Sequence, residues 1–171
     1  MNSGKSSRER SRSELETAGG SKQGRVRIFA IFDVEHDGDL YELLDAQSGR
    51  PGSGFEVVGG SQTSQDTDAW RASVRRRIRN SDQVIVICGE HTDESPRIHA
   101  ELLIARDEEK SYFLLWGRRE IMCTKPIGAE AAEGMYSWTP QFLHDQILFH
   151  RRKAARDAAA RSLRKVTPSG R

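Results

Sequence analysis

Three short apolar runs constrain the fold of this chain more than any other feature. They are VRIFAIF at 26–32, QVIVIC at 83–88 and YFLLW at 112–116. Each is too short for a stable helix, rich in β-branched or aromatic residues, and nearly free of polar alternation. That pattern predicts strands buried on both faces. Weaker runs at Phe55–Val58 and Met135–Ser137 predict two more. Between them lie helical spacings. Leu40, Leu43 and Leu44 form one set, and Trp70, Val74 and Ile78 form another at i, i+4 and i+8. Ile98, Leu102, Leu103 and Ile104 follow Ser95 and Pro96, an N-cap with proline in the first helical position. A last helix begins at Pro140 and carries Phe142, Leu143, Ile147 and Leu148. Strands alternating with helices predict an α/β fold with a parallel sheet covered on both faces. A flavodoxin-like doubly wound sheet is the natural candidate. Ligands of such sheets sit beyond the carboxyl ends of the strands, which nominates the loops Asp33–Asp39, Gly59–Gln65, Gly89–Glu94 and Gly117–Arg119.

Charge divides the chain into three parts. Residues 151–171 hold eight basic residues against Asp157 alone, a net +7, and residues 1–24 carry +2. The body, 25–150, is therefore −7 within a total of +2. Residues 1–24 have, after Met1, Leu15 as their one large apolar residue and are expected to be a disordered tail. Residues 25–150 are read as one domain, and 151–171 as a basic helical or disordered tail. An acidic body argues against nucleic-acid binding there, because a basic face is needed to release counterions. The basic tail leaves a phosphate or acidic-lipid contact open. No run of about 18 apolar residues occurs, so no membrane span is expected. Two cysteines without a CxxC pair fit neither a disulfide framework nor a zinc site, and a cytoplasmic location is the default.

Several motifs fail on context. Gly49, Gly52 and Gly54 lie between a helix and a strand, the reverse of the order a dinucleotide fingerprint needs. Neither a Walker A sequence nor a GxSxG elbow is present. His99-Ala100-Glu101 matches the HxE of zinc deaminases, but the paired cysteines are missing. The acidic loop with Asp33, Glu35, His36, Asp37 and Asp39 could gather oxygen ligands around a metal. Its simpler reading is a solvated loop with a capping aspartate, and no metal is expected. Glu101 stands in the apolar stretch 98–105, about two turns into its helix. On spacing alone it is either a surface residue near Arg97 at i−4 or a carboxylate turned toward the strand-end crevice. In the second case it could hold ribose hydroxyls and stabilise positive charge at a sugar carbon.

The segments FAIFDVEHDGDLYELL, DQVIVICGEHTDESPRIHAELLIA, YFLLWGR and YSWTPQFL together resemble the bacterial and archaeal TIR-like family, which includes the TIR-like subunit of Thoeris anti-phage defence. The resemblance covers about 25–150. It implies a five-stranded parallel sheet and an NAD-cleaving or ADP-ribose-cyclising activity, with NAD as a consumed substrate and no cofactor. It places the catalytic carboxylate at Glu101, on the helix after the third strand. Phe32 and Asp33 match the position that lines the nicotinamide and ribose pocket, and Ser95 and His99 flank the start of the glutamate's helix. It further implies self-association through TIR contacts and an effector that reads the product. The competing expectation is a non-catalytic TIR-like interaction module, with the acidic body and basic tail favouring head-to-tail association.

Overall fold

The computed structural model describes residues 24–166. The expected disordered tail at 1–24 lies, but for Gly24, outside the described residues, as do the last five residues of the basic tail. Five strands form one all-parallel sheet: β1 (Val26–Ile31), β2 (Phe55–Gly60), β3 (Gln83–Cys88), β4 (Tyr112–Trp116) and β5 (Met135–Ser137), in the order β2-β1-β3-β4-β5. Four α-helices connect or follow them: α1 (Gly38–Ser48), α2 (Asp68–Arg79), α3 (Pro96–Asp107) and α4 (Pro140–Val166). This is the flavodoxin-like doubly wound arrangement, with the basic C-terminal segment helical. α4 runs unbroken across residue 150, where the sequence suggests a boundary.

Two apolar layers flank the sheet. On one face Phe29, Ile31, Val84 and Val86 pack against Trp70, Val74 and Ile78 of α2 and Ile98, Leu102 and Ala105 of α3. On the other, Ile28, Ala30, Ile85 and Ile87 meet Leu40 and Leu44 of α1 and Leu143 and Ile147 of α4. β3 is central and buried along its whole length, which is why its sequence shows no polar alternation. Full burial of each such aliphatic side chain contributes about 1.5–3 kcal/mol. The helix starts follow their caps. Thr67 Oγ1 accepts from the Trp70 amide at 3.2 Å, and Ser95 Oγ accepts from the Ile98 amide at 3.5 Å.

The strand order reverses direction between β1 and β3, and a crevice opens there at the carboxyl ends. One irregularity shapes it. The β1–β2 register slips between Ile28 and Phe29, so Ile28 faces Val57 while Phe29 faces Gly59. This bulge turns the end of β2 so that Ser61 arrives beside the exit of β1, where its amide donates to the Ala30 carbonyl at 2.9 Å. Gly60 permits the approach, because a Cβ there would come within 2.6 Å of the Tyr41 ring and 2.9 Å of the Phe32 ring.

Candidate functional site

A cavity of about 350 Å3 lies over the crevice, at the lower end of the range for small-molecule sites. Its walls come from three of the four loops nominated by topology. Asp33 and His36 follow β1, Thr63 and Asp66 follow β2, and His91 and Glu94 follow β3. Trp70 of α2 and Arg97 of α3 complete it. The fourth loop does other work. Arg118 reaches across to Asp37 at 3.3 Å and Asp39 at 2.8 Å, tying the loop after β4 to the loop after β1.

The loop after β1 is organised by Asp33. Its Oδ1 accepts from the Glu35 amide at 2.9 Å, and its Oδ2 lies 3.2 Å from Nδ1 of His36. That contact holds the His36 imidazole above its ordinary pKa, with the neighbouring carboxylates adding to it. The His36 and His91 rings pack with centroids 4.6 Å apart at the rim. Asp37 is buried, and burial raises its carboxyl above the usual range against the opposing pull of Arg118. Among the described residues, no group of three or more His, Cys, Asp or Glu gathers as metal ligands would.

Glu101 is fully buried on the inner face of α3, which excludes the surface reading. Ser61 Oγ donates to its Oε2, and that Ser61 hydroxyl in turn accepts from the Phe32 amide at 3.1 Å. The carboxyl is thus wired through one hydroxyl to the end of β1. Its Oε1 is buried with no partner. Burial pushes the pKa up from 4.5 to about 7, against the Ser61 hydrogen bond and the positive charges of Arg97 and Arg77.

Two arginines close the loop over it. Arg97, one turn before Glu101, donates to the Gln62 carbonyl at 2.6 Å and to the Ser64 carbonyl, with its guanidinium 5.7 Å from the Trp70 ring centroid. Arg77 donates to the Gly60 carbonyl at 2.7 Å and to Gln62 Oε1 at 3.0 Å. Arg97 therefore spends its guanidinium on the loop rather than on the carboxylate at i+4. Glu101 lies next to the first strand's exit, yet it does not line the cavity.

The remaining sequence-nominated residues separate. Asp33 and Ser95 line the cavity, and Ser95 also caps α3. Phe32 contributes its backbone amide to Ser61, but its ring stacks on Tyr41 at 4.7 Å within the α1–α4 layer. His99 faces the segment after β4, its Nδ1 2.6 Å from the Ile127 carbonyl, and takes no part in the cavity. Sequence reasoning missed Ser61, Arg77 and Arg97. Their signal was indirect: Gly59-Gly60 marks a close backbone approach, but only the bulge reveals which residue follows it into the crevice.

A family model described as the Thoeris protein ThsB, TIR-like domain, matches residues 29–118, more than half of the chain. The chain belongs to this TIR-like family. The matched stretch runs from within β1 to just past β4, so it contains every residue of the cavity and the Glu101–Ser61 pair. No curated protein matches the chain. The TIR-like match ends before β5 and α4.

Proposed function

We propose that this TIR-like domain cleaves NAD at its nicotinamide–ribose bond, or cyclises the product, to make an ADP-ribose-type signal in anti-phage defence. The observation that carries the reading is a single carboxyl, Glu101. It is buried beside the exit of β1, bonded to Ser61, raised to about 7, and holds one orphaned oxygen. A carboxyl with that pKa changes ionisation near neutral pH, as functional-site carboxyls do. In its anionic form it stabilises the positive charge that develops on the ribose as nicotinamide leaves with the bonding electron pair. Water, or a hydroxyl or ring nitrogen of the same ADP-ribose, then supplies the new bond and releases a proton. The 61–67 loop must lift from Glu101 for substrate to reach it. Asp33 and Ser95 then stand at the edge of the exposed site.

The test is nicotinamide release from NAD, followed by chromatography, with purified protein and with lysate of infected cells. Release is expected, and Glu101→Gln is expected to remove it. Turnover should rise with pH through about 7, because the anion is the working form. Undiminished release by the glutamine variant would take Glu101 out of the mechanism.

The closed loop over Glu101 also favours a second reading, a TIR-like interaction module without turnover. Its support is a sealed carboxyl together with the exposed basic residues Arg156 and Arg161 on α4 beside an acidic body. Self-association that weakens from low to high salt, with no nicotinamide release in either preparation, would select it.

A further inference from the structure

The opposite end of the sheet holds a larger cavity, about 540 Å3, enclosed by the amino ends of β1, β3 and β4 and the middle of α4. Its lining carries Arg25, Arg27, Arg79, Lys110 and Arg151 against Asp82 as the one acid. That concentration of positive charge is foreign to a body of net −7. Some of these cations are committed. Arg25 bonds the carbonyls of Ser48 and Phe55, and Arg79 pairs with Glu108 at 2.5 Å. Others are not. The exposed Arg27 guanidinium has no hydrogen bond or ion pair among the described residues. Arg151 makes one long contact, 3.5 Å, to the Gly24 carbonyl. Lys110 gives two N–H groups to the carbonyls of Arg79 and Ser81 and keeps a third.

A second observation is independent of charge. Gln83, the first residue of β3, is 1% exposed and lines this cavity, and both its Nε2 and its Oε1 lack partners. A buried amide with an idle donor and an idle acceptor is costly to fold around. Ile85 and Ile87, on the same face of the strand, are apolar and fully buried, which makes Gln83 the polar exception on that face of β3. Nε2 of His150, across the cavity, is also buried without a partner, while the ring stacks on Phe113 at 5.1 Å and Nδ1 lies 3.3 Å from Ser111 Oγ.

We propose that this cavity is a second ligand site, taking a mononucleotide-type phosphate with its phosphate on Arg27 and Arg151 and its base edge on the Gln83 amide. An inorganic anion would satisfy the cations but leave Gln83 idle. A glutamine amide pairs with a ring edge that offers an acceptor beside a donor, as adenine does. The site lies at the far end of the strands from Glu101, so its existence does not depend on the glycosidic chemistry proposed there.

The test is an NMR titration of the labelled full chain with AMP, with inorganic phosphate and with adenosine. AMP is expected to give saturable shifts at the amides of Arg27, Gln83 and Ser111, and to bind more tightly than either fragment. Replacing Arg27 and Arg151 together by serine should weaken AMP by about tenfold or more. Gln83→Leu, which fills a buried position with an apolar side chain of similar volume, should weaken AMP by about tenfold and leave inorganic phosphate unchanged. Three results overturn the proposal: AMP shifts confined to the Asp33, Thr63 and His91 pocket, no shift at the lower amides at saturating AMP, or equal AMP affinity in the Gln83→Leu protein.

Discussion

Replacing Glu101 by glutamine should stabilise the fold at pH 8 relative to its effect at pH 5. The folded carboxyl titrates near 7 because it is buried, whereas an exposed glutamate titrates near 4.5. A raised acid favours the native state only while protonated. Its favourable contribution is complete below about pH 4.5, erodes as pH climbs toward 7, and is gone above it. At about 1.36 kcal/mol per unit, the wild type loses about 2.5 kcal/mol through this one group between pH 5 and pH 8. Glutamine has no charge to desolvate and can still accept the Ser61 hydrogen bond. Its amide nitrogen takes the place of the orphaned Oε1, a cost that does not change with pH. The quantity to measure is therefore the difference between the two proteins at each pH, which cancels the contributions of Asp37 and the histidines. Urea unfolding followed by tryptophan fluorescence supplies it. The glutamine variant should gain about 2.5 kcal/mol on the wild type from pH 5 to pH 8. Stability curves that move in parallel would refute the reasoning, since Glu101 would then be titrating as a solvated group.

The hydroxyl of Ser61 serves two partners, so Ser61→Ala should cost about 1–3 kcal/mol by urea unfolding and shift any pH profile governed by Glu101 upward. An unchanged profile would show that the hydroxyl does not tune the carboxyl. Arg118→Met leaves the Asp37 side chain, 2% exposed, without its cation and should lower stability by about 3 kcal/mol at pH 8. Adding Asp37→Asn should return part of that loss, and a purely additive double variant would discount the pair. Arg97→Ala removes two clamps on the loop after β2 and should speed amide exchange across residues 62–66 by about tenfold or more, with under about 1 kcal/mol lost globally. Exchange at the wild-type rate would mean that the loop is held by something else.

The sheet was legible from sequence because burial on both faces writes itself into composition. β3, β4 and β5 begin and end where the apolar runs do, and β1 stops one residue short, at Ile31, because the Phe32 amide donates to the Ser61 hydroxyl and not to a neighbouring strand. β2 was read two residues too short. Gly59 and Gly60 look like a terminator, yet they continue the strand because a bulge and two aromatic rings need the room. The same blind spot hid the candidate site. Glu101 was visible as a carboxylate in an apolar stretch, but two readings fitted its spacing, and only packing against the end of β2 selects burial. Periodicity describes one element at a time. Ser61, Arg77 and Arg97 converge from the end of β2 and from α2 and α3, at separations that no local pattern encodes. What makes the arrangement chemically suggestive is that the two arginines grip backbone carbonyls and never touch the acid. Had either paired with Glu101 directly, the carboxyl would be a structural ion pair with a lowered pKa. Held apart, their charges only moderate the effect of burial, and the group is left raised, partly unsatisfied, and one loop away from solvent.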